Sequence, residues 1–433
     1  MTRVAARHGY GGASVARAAA EAGVSRGTFY RCYPDRDECF RAVYRRGTAA
    51  IRARLASAVS ATPLRDRPRA VLEVLFSAAA ADPDRARLIL IESLAGPSDL
   101  RVDHEALLAQ CIRWIEGQQA REVEGGIQAP PVALLGAVLG VLSTRLLVGQ
   151  AATLPELTVP LSDWFDALRL PAGETPLGSG AWARLGARLL PRSHAPTPQP
   201  ARLPRGRSAL APGLAAARLR ERIVLTTAEL IAARGYAAVT VSEIVAAARV
   251  SRRAFYTSFS GKEAAFLAAQ RLCLRESMAC AAAGYSLAPS WPDSVWGACD
   301  AMCSYMAARP ALTQIGIREV YAAGENALRV QAESTRAHGL FLEPGYAECE
   351  RRAPPREICS DAIGAAVFWM IWERVGLAGP GALRSLLPQV VYAILAPFLG
   401  PEPALSFVSG RVRAAPAAAR KEPLLFLASA DRA

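Results

Sequence analysis

Gly235-Tyr-Ala-Ala-Val-Thr240-Val-Ser-Glu-Ile-Val-Ala-Ala-Ala-Arg249-Val-Ser251-Arg-Arg-Ala-Phe-Tyr256-Thr-Ser-Phe-Ser-Gly-Lys262-Glu is the stretch on which the fold turns. Thr240 and Ser251 each carry the short hydroxyl that accepts an orphan amide at a helix start. The stretch therefore reads as a helix over Val241 to Ala248, a tight turn, and a second helix from Ser251 through Ser258. Ahead of it, Leu219 to Arg234 places apolar residues at helical spacing and stops at Gly235. Two short helices across a tight turn form a helix-turn-helix, the unit that lays its second helix in the major groove of DNA.

The pattern recurs, without a gap, 226 positions earlier. Between Gly9/Gly235 and Phe40/Phe266, 11 of 32 paired positions are identical, so the two motifs, at about 14–33 and 240–259, are diverged duplicates. A chain of 433 residues is too long for one ordinary core, and the repeat predicts two similar halves in tandem. The expected order is a head over 1–46, a helical ligand and dimerisation domain over 47–190, and a linker over 191–213. A second head over 214–275, a second helical domain over 276–400 and a loose tail over 401–433 follow. Helical period runs through nearly every segment and none alternates as a strand does, so the class is all-α. The linker holds six prolines and no acidic residue; at about 3.1 Å per residue it spans up to ~70 Å, ample for the second head to lie beside the first.

The net charge is +13, and its placement says more than its size. Residues 1–46 hold nine Arg against four acids, residues 218–275 ten basic against four acidic residues, and residues 191–213 four Arg with no acid. The rest of the chain is close to neutral, which is the electrostatic footprint of a phosphate-backbone binder. Lys262 and Lys421 are the only lysines, a bias of genomic composition and not of chemistry.

Nine cysteines form no Cys-x-x-Cys pair, an odd count that suits reduced thiols in a cytoplasm, the expected location, with the nucleoid as its site. Cys299 and Cys303, at i and i+4, share a helix face, where two small buried residues are the ordinary meaning and a thiol sensor the rarer one. No His stands at metal-ligand spacing from a Cys or carboxylate, so neither metal nor cofactor is expected. Val132 to Val148 and Ile363 to Leu377 are apolar, but the first contains Arg145 and the second Glu373 and Arg374; both read as buried helices. Gly23-Val-Ser25-Arg-Gly27 matches a nucleophile elbow, yet that motif needs a preceding strand, and the same serine recurs as a cap at Ser251 without the glycines. An enzyme is not expected.

Between 232 and 263 the succession Ala-Arg-Gly-Tyr, Thr-Val-x-x-Ile, Val-Ser-Arg, Phe-Tyr-x-x-Phe and Lys-Glu resembles the tetracycline-repressor (TetR) family of bacterial regulators, with a weaker counterpart between 6 and 37. The resemblance covers about 45 residues in each half. It implies that Arg252, Arg253, Ala254 and Thr257 read bases while Thr240, Tyr256 and Lys262 hold phosphates. In the first head it implies Arg26, Gly27, Thr28 and Arg31 on bases, with Ser14, Tyr30 and Arg36 on phosphates, and Phe29 and Phe255 turned to the core. It also implies a double-stranded operator and a small-molecule effector as partners. Pairing through the last two long helices of each domain is implied as well, the partner being the other half of this chain or a second chain. Gly136-Ala-Val with Ala365-Ala-Val, Arg145 with Arg374 and Pro160 with Pro388 carry the repeat into those helices. Trp291, Trp296, Met302, Tyr305, Met306, Trp369 and Trp372 are candidates for an apolar pocket, with core packing the alternative.

Each copy departs from the pattern. The first starts at the equivalent of Thr227, with about half of an opening helix, and has Ala13, Ala18 and Ala19 where the second has Val239, Ile244 and Val245. Such losses cost a few kcal/mol each at buried sites. The second has Arg249 where the turn favours glycine, at a cost of roughly 1 to 2 kcal/mol if the backbone there is left-handed. The reading surfaces differ, Arg-Gly-Thr-x-x-Arg against Arg-Arg-Ala-x-x-Thr, so an operator read by both is imperfectly palindromic. Two functions fit: a repressor that leaves its operator when a small apolar molecule shifts the spacing of the heads, or a sensing and dimerisation scaffold in which one head or none binds DNA.

Overall fold

The computed structural model of the chain describes residues 1–122, 125–171, 174, 177–189, 212–286, 288–348 and 356–415. Among them every regular element is a helix, apart from an isolated bridge between Ile127 and Arg169. The first half runs α1 (Thr2–Gly12), α2 (Val15–Ala22), α3 (Arg26–Cys32), α4 (Arg36–Ala61), α5 (Arg67–Ala81), α6 (Pro83–Leu90), α7 (Ser98–Gln119), α8 (Pro131–Leu147), α9 (Thr158–Asp166) and α10 (Ser179–Ala187). The second runs α11 (Pro212–Arg234), α12 (Val241–Ala248), α13 (Arg252–Ser258), α14 (Lys262–Tyr285), α15 (Trp291–Ala308) and α16 (Pro310–Ile317). It continues through α17 (Val320–Ala323), α18 (Glu325–Ala337), α19 (Glu343–Glu348), α20 (Arg356–Ala378), α21 (Leu387–Leu399) and α22 (Pro401–Ala414).

The helices gather into two compact units that do not follow the two halves. One comprises Met1–Trp182, Glu319–Glu373 and Tyr392–Ser406; the other comprises Ala183–Arg318, Arg374–Val391 and Phe407–Ala433. In the first unit α8 is buried along most of its length, from Pro131 through Leu142 apart from two half-buried positions. A helix buried on nearly all sides needs a partner on each, and here one partner is α20, from the other half of the sequence. Gly136 and Gly140 let the backbones close: a Cβ on Gly136 would lie 2.7 Å from the Cβ of Trp369, and one on Gly140 only 1.9 Å from that of Ala365. Tyr392 of α21 donates its hydroxyl to the Gln128 carbonyl at 2.7 Å, and its ring lies tilted against Trp182 with the centroids 5.1 Å apart.

The first head sits on this unit through α1. Val4, Ala5 and Ala13 pack with Phe40 and Tyr44 of α4, Leu88 of α6 and Leu100 of α7. The helical backbone breaks at Gly9 (φ 68°, ψ 167°), so the opening helix proper ends at His8, as α11 ends at Arg234 before Gly235 (φ 82°). The Tyr10 amide freed by this break donates to the buried Glu92 carboxylate at 2.8 Å. Burial raises the pKa of that carboxyl although Arg87 lies 3.3 Å away; Arg87 also holds Glu325 of α18 at 2.8 Å. Below, the His104 ring nitrogen lies 3.0 Å from the Ser93 hydroxyl and 3.3 Å from that of Tyr44, and burial lowers its pKa to about 4.

In the second unit α14 lies along α15, closest where Gly284 meets Gly297, and α11 and α14 both rest on α16. Ile223, Ile231, Val239, Ile244, Phe255 and Phe266 are buried. Glu276 of α14 accepts from the Tyr305 hydroxyl at 2.7 Å and from Arg309 at 3.0 Å, and Arg384 pairs with Asp300 at 2.8 Å.

One expectation changes. The loose tail expected over 401–433 does not begin at 401: α22 runs to Ala414, and Ala404, Val408 and Val412, spaced four apart on one helix face, are buried. Residues 416–433 lie outside the described residues, as does the predicted linker as far as 211; α11 begins at its Pro212. Pro380–Leu399 is long and apolar enough to cross a membrane, but 72% of its apolar window is buried inside the protein, as in a core helix.

Candidate nucleic-acid interface

In the second head the helix-turn-helix is built by local chemistry. Thr240 accepts the Glu243 amide on its hydroxyl at 3.3 Å, while the Glu243 carboxylate takes the Thr240 amide at 2.8 Å and its hydroxyl proton at 2.7 Å. This capping box closes the start of α12. The Thr240 hydroxyl and Arg234, at 2.7 Å, hold the Glu243 carboxyl down at about 2. α12 ends at Arg249, which adopts the left-handed conformation (φ 52°, ψ 49°) and is the only non-glycine residue with positive φ among the described residues. Ser251 then caps α13 through the Ala254 amide at 3.1 Å, and Phe255 anchors the helix in the core.

Anchoring Phe255 turns the opposite face of α13 outward. Arg252, Arg253, Tyr256 and Thr257 are exposed, Tyr256 to 55%, and Ala254 is half-buried. The Arg252 guanidinium donates to the Ser242 hydroxyl on α12 at 2.6 Å. Thr240 is exposed beside them. Lys262, at the start of α14, is turned inward: its Nζ donates to the Tyr236 carbonyl at 2.8 Å and lies 4.1 Å from the centroid of that ring, with burial lowering its pKa.

The first head repeats this construction with other residues. Ser14 caps α2 through the Arg17 amide at 3.2 Å, α2 ends at Gly23 in the same left-handed turn (φ 67°, ψ 29°), and Ser25 caps α3 through the Thr28 amide at 3.1 Å. Ser25 lies between two helices as a cap, with none of the strand-to-helix geometry that an exposed nucleophile requires. Phe29 is buried; Arg26, Gly27, Tyr30 and Arg31 are exposed, Tyr30 to 55%, Ser14 is exposed and Thr28 half-buried. Arg31 donates to the Thr28 hydroxyl at 3.2 Å. Arg36 matches Lys262 in position and in fate: it stacks 4.3 Å from the Tyr10 centroid and donates to the Tyr10 hydroxyl at 2.6 Å and to Asp37 at 2.8 Å. The two basic residues assigned to phosphates thus brace a tyrosine inside their own head.

The apolar set expected to line one pocket is divided. Trp291, Met302, Tyr305 and Met306 are buried on α15 in the second unit, whereas Trp369 and Trp372 are buried on α20 in the first, 5.0 Å apart, with Tyr321 6.2 Å from Trp369. Trp296 contacts Phe407 edge-on at 6.4 Å. Cys299 and Cys303 are buried, and desolvation raises the pKa of both thiols, so they remain protonated packing residues. Sequence reading missed Ser242 and Tyr10. The only signal for the first is a hydroxyl ten residues ahead of an arginine, which means nothing until the turn brings α12 and α13 together.

Two stretches of the chain, residues 2–43 and 223–269, match the family model of the bacterial regulatory proteins of the tetR family. They take in α1 to α3 with the start of α4, and most of α11 through the first turns of α14. No curated protein matches the chain. The two heads are helix-turn-helix segments of the kind carried by DNA-binding transcription regulators of that family.

Proposed function

We propose that the chain is a sequence-specific repressor with two DNA-reading heads on one polypeptide, and that a small apolar effector releases it from its operator. The observation that carries this reading is that α2 and α3 match α12 and α13 bound for bound at an offset of 226 residues, the second helix of each pair presenting two arginines and a tyrosine outward. A second observation supports pairing within the chain: α20 lies against α8, leaving that part of α8 filled without a second copy. Cationic side chains and capped helix starts suit phosphates, and arginine on an exposed recognition helix suits guanine edges.

A narrower reading, in which the second head alone binds and the first half serves as scaffold, is favoured by Ala13 and Ala18 at buried positions of the first head, where the second has Val239 and Ile244. A footprint of the purified protein on the DNA upstream of its own gene, at two salt concentrations, separates the readings. Two protected half-sites about 34–36 Å apart, weakening steeply with salt, support two working heads. One half-site, lost on R252A/R253A and kept on R26A/R31A, supports the narrower reading. No selected site, in the footprint or from random DNA, defeats both.

A further inference from the structure

We infer that the two heads read guanine with different arginines: the second with Arg252, steered by Ser242, and the first with Arg31, steered by Thr28. The inference rests on the DNA-reading role proposed above. By sequence, Arg26 and Arg252 are equivalent and invite the same assignment. The structure breaks that equivalence. Arg252 donates to the Ser242 hydroxyl at 2.6 Å, and the first head has Ala16 at the position of Ser242, with no hydroxyl to give. Arg31 donates to the Thr28 hydroxyl at 3.2 Å, and that hydroxyl lies 3.1 Å from the Ser25 hydroxyl that caps the same helix. In the second head Ala254 removes the acceptor and Thr257 removes the cation, its own hydroxyl turned to the Arg253 carbonyl.

A long guanidinium side chain loses much rotamer freedom when fixed against a base, and one already held by a hydroxyl loses less. The hydroxyl occupies a single Nη, so other N–H donors of the fork stay available for the O6 and N7 of a guanine. Ser242 and Thr28 are therefore positioning residues, acting through the arginines they hold. Arg31 stands five residues beyond the place that Arg252 occupies in its own head. That is about 7.5 Å along the helix axis, together with a change of face around it. Within each head's own frame, the guanine read by the first is displaced from the guanine read by the second.

The test is selection from random duplex DNA by the full chain, comparing wild type, S242A, S242T and T28V, with thermal melting of each. Ser242 is exposed in the first turn of α12, so S242A leaves the fold intact. It is expected to lower guanine preference at one base pair of one half-site roughly three- to tenfold, the worth of one such hydrogen bond. The other half-site and the salt dependence stay unchanged, and S242T keeps the preference. T28V is expected to do the same at the displaced position of the other half-site. Identical base profiles in all four proteins, a uniform loss at every position, or guanine at the same register in both half-sites overturns the inference and leaves the repressor reading standing. A wild-type chain that selects no motif overturns both.

Discussion

The two heads have the same helices at the same offset and distribute their stability differently. The second closes α12 with a capping box, buries Val239, Ile244 and Phe255, and carries the left-handed turn on Arg249. The first has Arg17 where the second has Glu243, so Ser14 caps α2 without a carboxylate, and the turn falls on Gly23, which adopts that conformation freely. Its core has Ala13 and Ala18 in the places of the larger residues. A fuller core tolerates a strained turn, and a thinner core is matched with an unstrained one. The helix starts differ in the opposite sense. A carboxylate stands at the better-capped start and a guanidinium at the other, so the head with less packing offers phosphates the more favourable field.

The largest test of that contrast is removal of the anchoring phenylalanine. Phe255→Ala is expected to cost about 3–5 kcal/mol, while Phe29→Ala costs about 2 kcal/mol less, because Phe29 packs in a small cluster with Ala18 and Cys39. Urea unfolding of both variants checks this, and equal losses would break the contrast.

Acid provides the next test. Among the described residues every histidine lies in the unit that bears the first head, and burial holds His104 down at about 4. An unfolded histidine takes its proton near pH 6.5, the buried one only near 4. The stability that neutral His104 contributes is thus present above about 6.5 and lost as pH falls from there toward 4, by about 3 kcal/mol in all. Hydrogen exchange between pH 7 and 4.5 should show the unit with the first head opening before the other, and H104F should reduce the difference, with His338, also lowered by burial in the same unit, contributing the remainder. The smallest effect sharpens the comparison at the turn. Arg249→Gly relieves the left-handed backbone and is expected to raise the melting free energy of the second head by about 1 kcal/mol, whereas Gly23→Ala lowers that of the first by a similar amount.

Much of the heads was legible in the sequence, because caps, glycines and helical spacing act over a few residues. The bounds of α12 and α13 follow from such local rules, while the burial of Phe29 and Phe255 was implied by the family resemblance. What was not legible depends on contacts distant in sequence. Periodicity shows α8 to be apolar all round but cannot say that α20 lies against it. Trp369 and Trp372 read like partners of Trp291 until the helices are assigned to units. Lys262 and Arg36 carry the charge that suits a phosphate, yet Tyr236 and Tyr10 capture them, an outcome set by where two rings fall in space.

The close passage of Gly136 and Gly140 against α20 joins two stretches of a single polypeptide. Its formation is a first-order event, limited by loop closure and independent of how many molecules are present. Dilution, which separates two-chain assemblies by mass action, has no effect on it. A fall in expression changes how many molecules a cell holds and leaves this one contact within each of them unchanged.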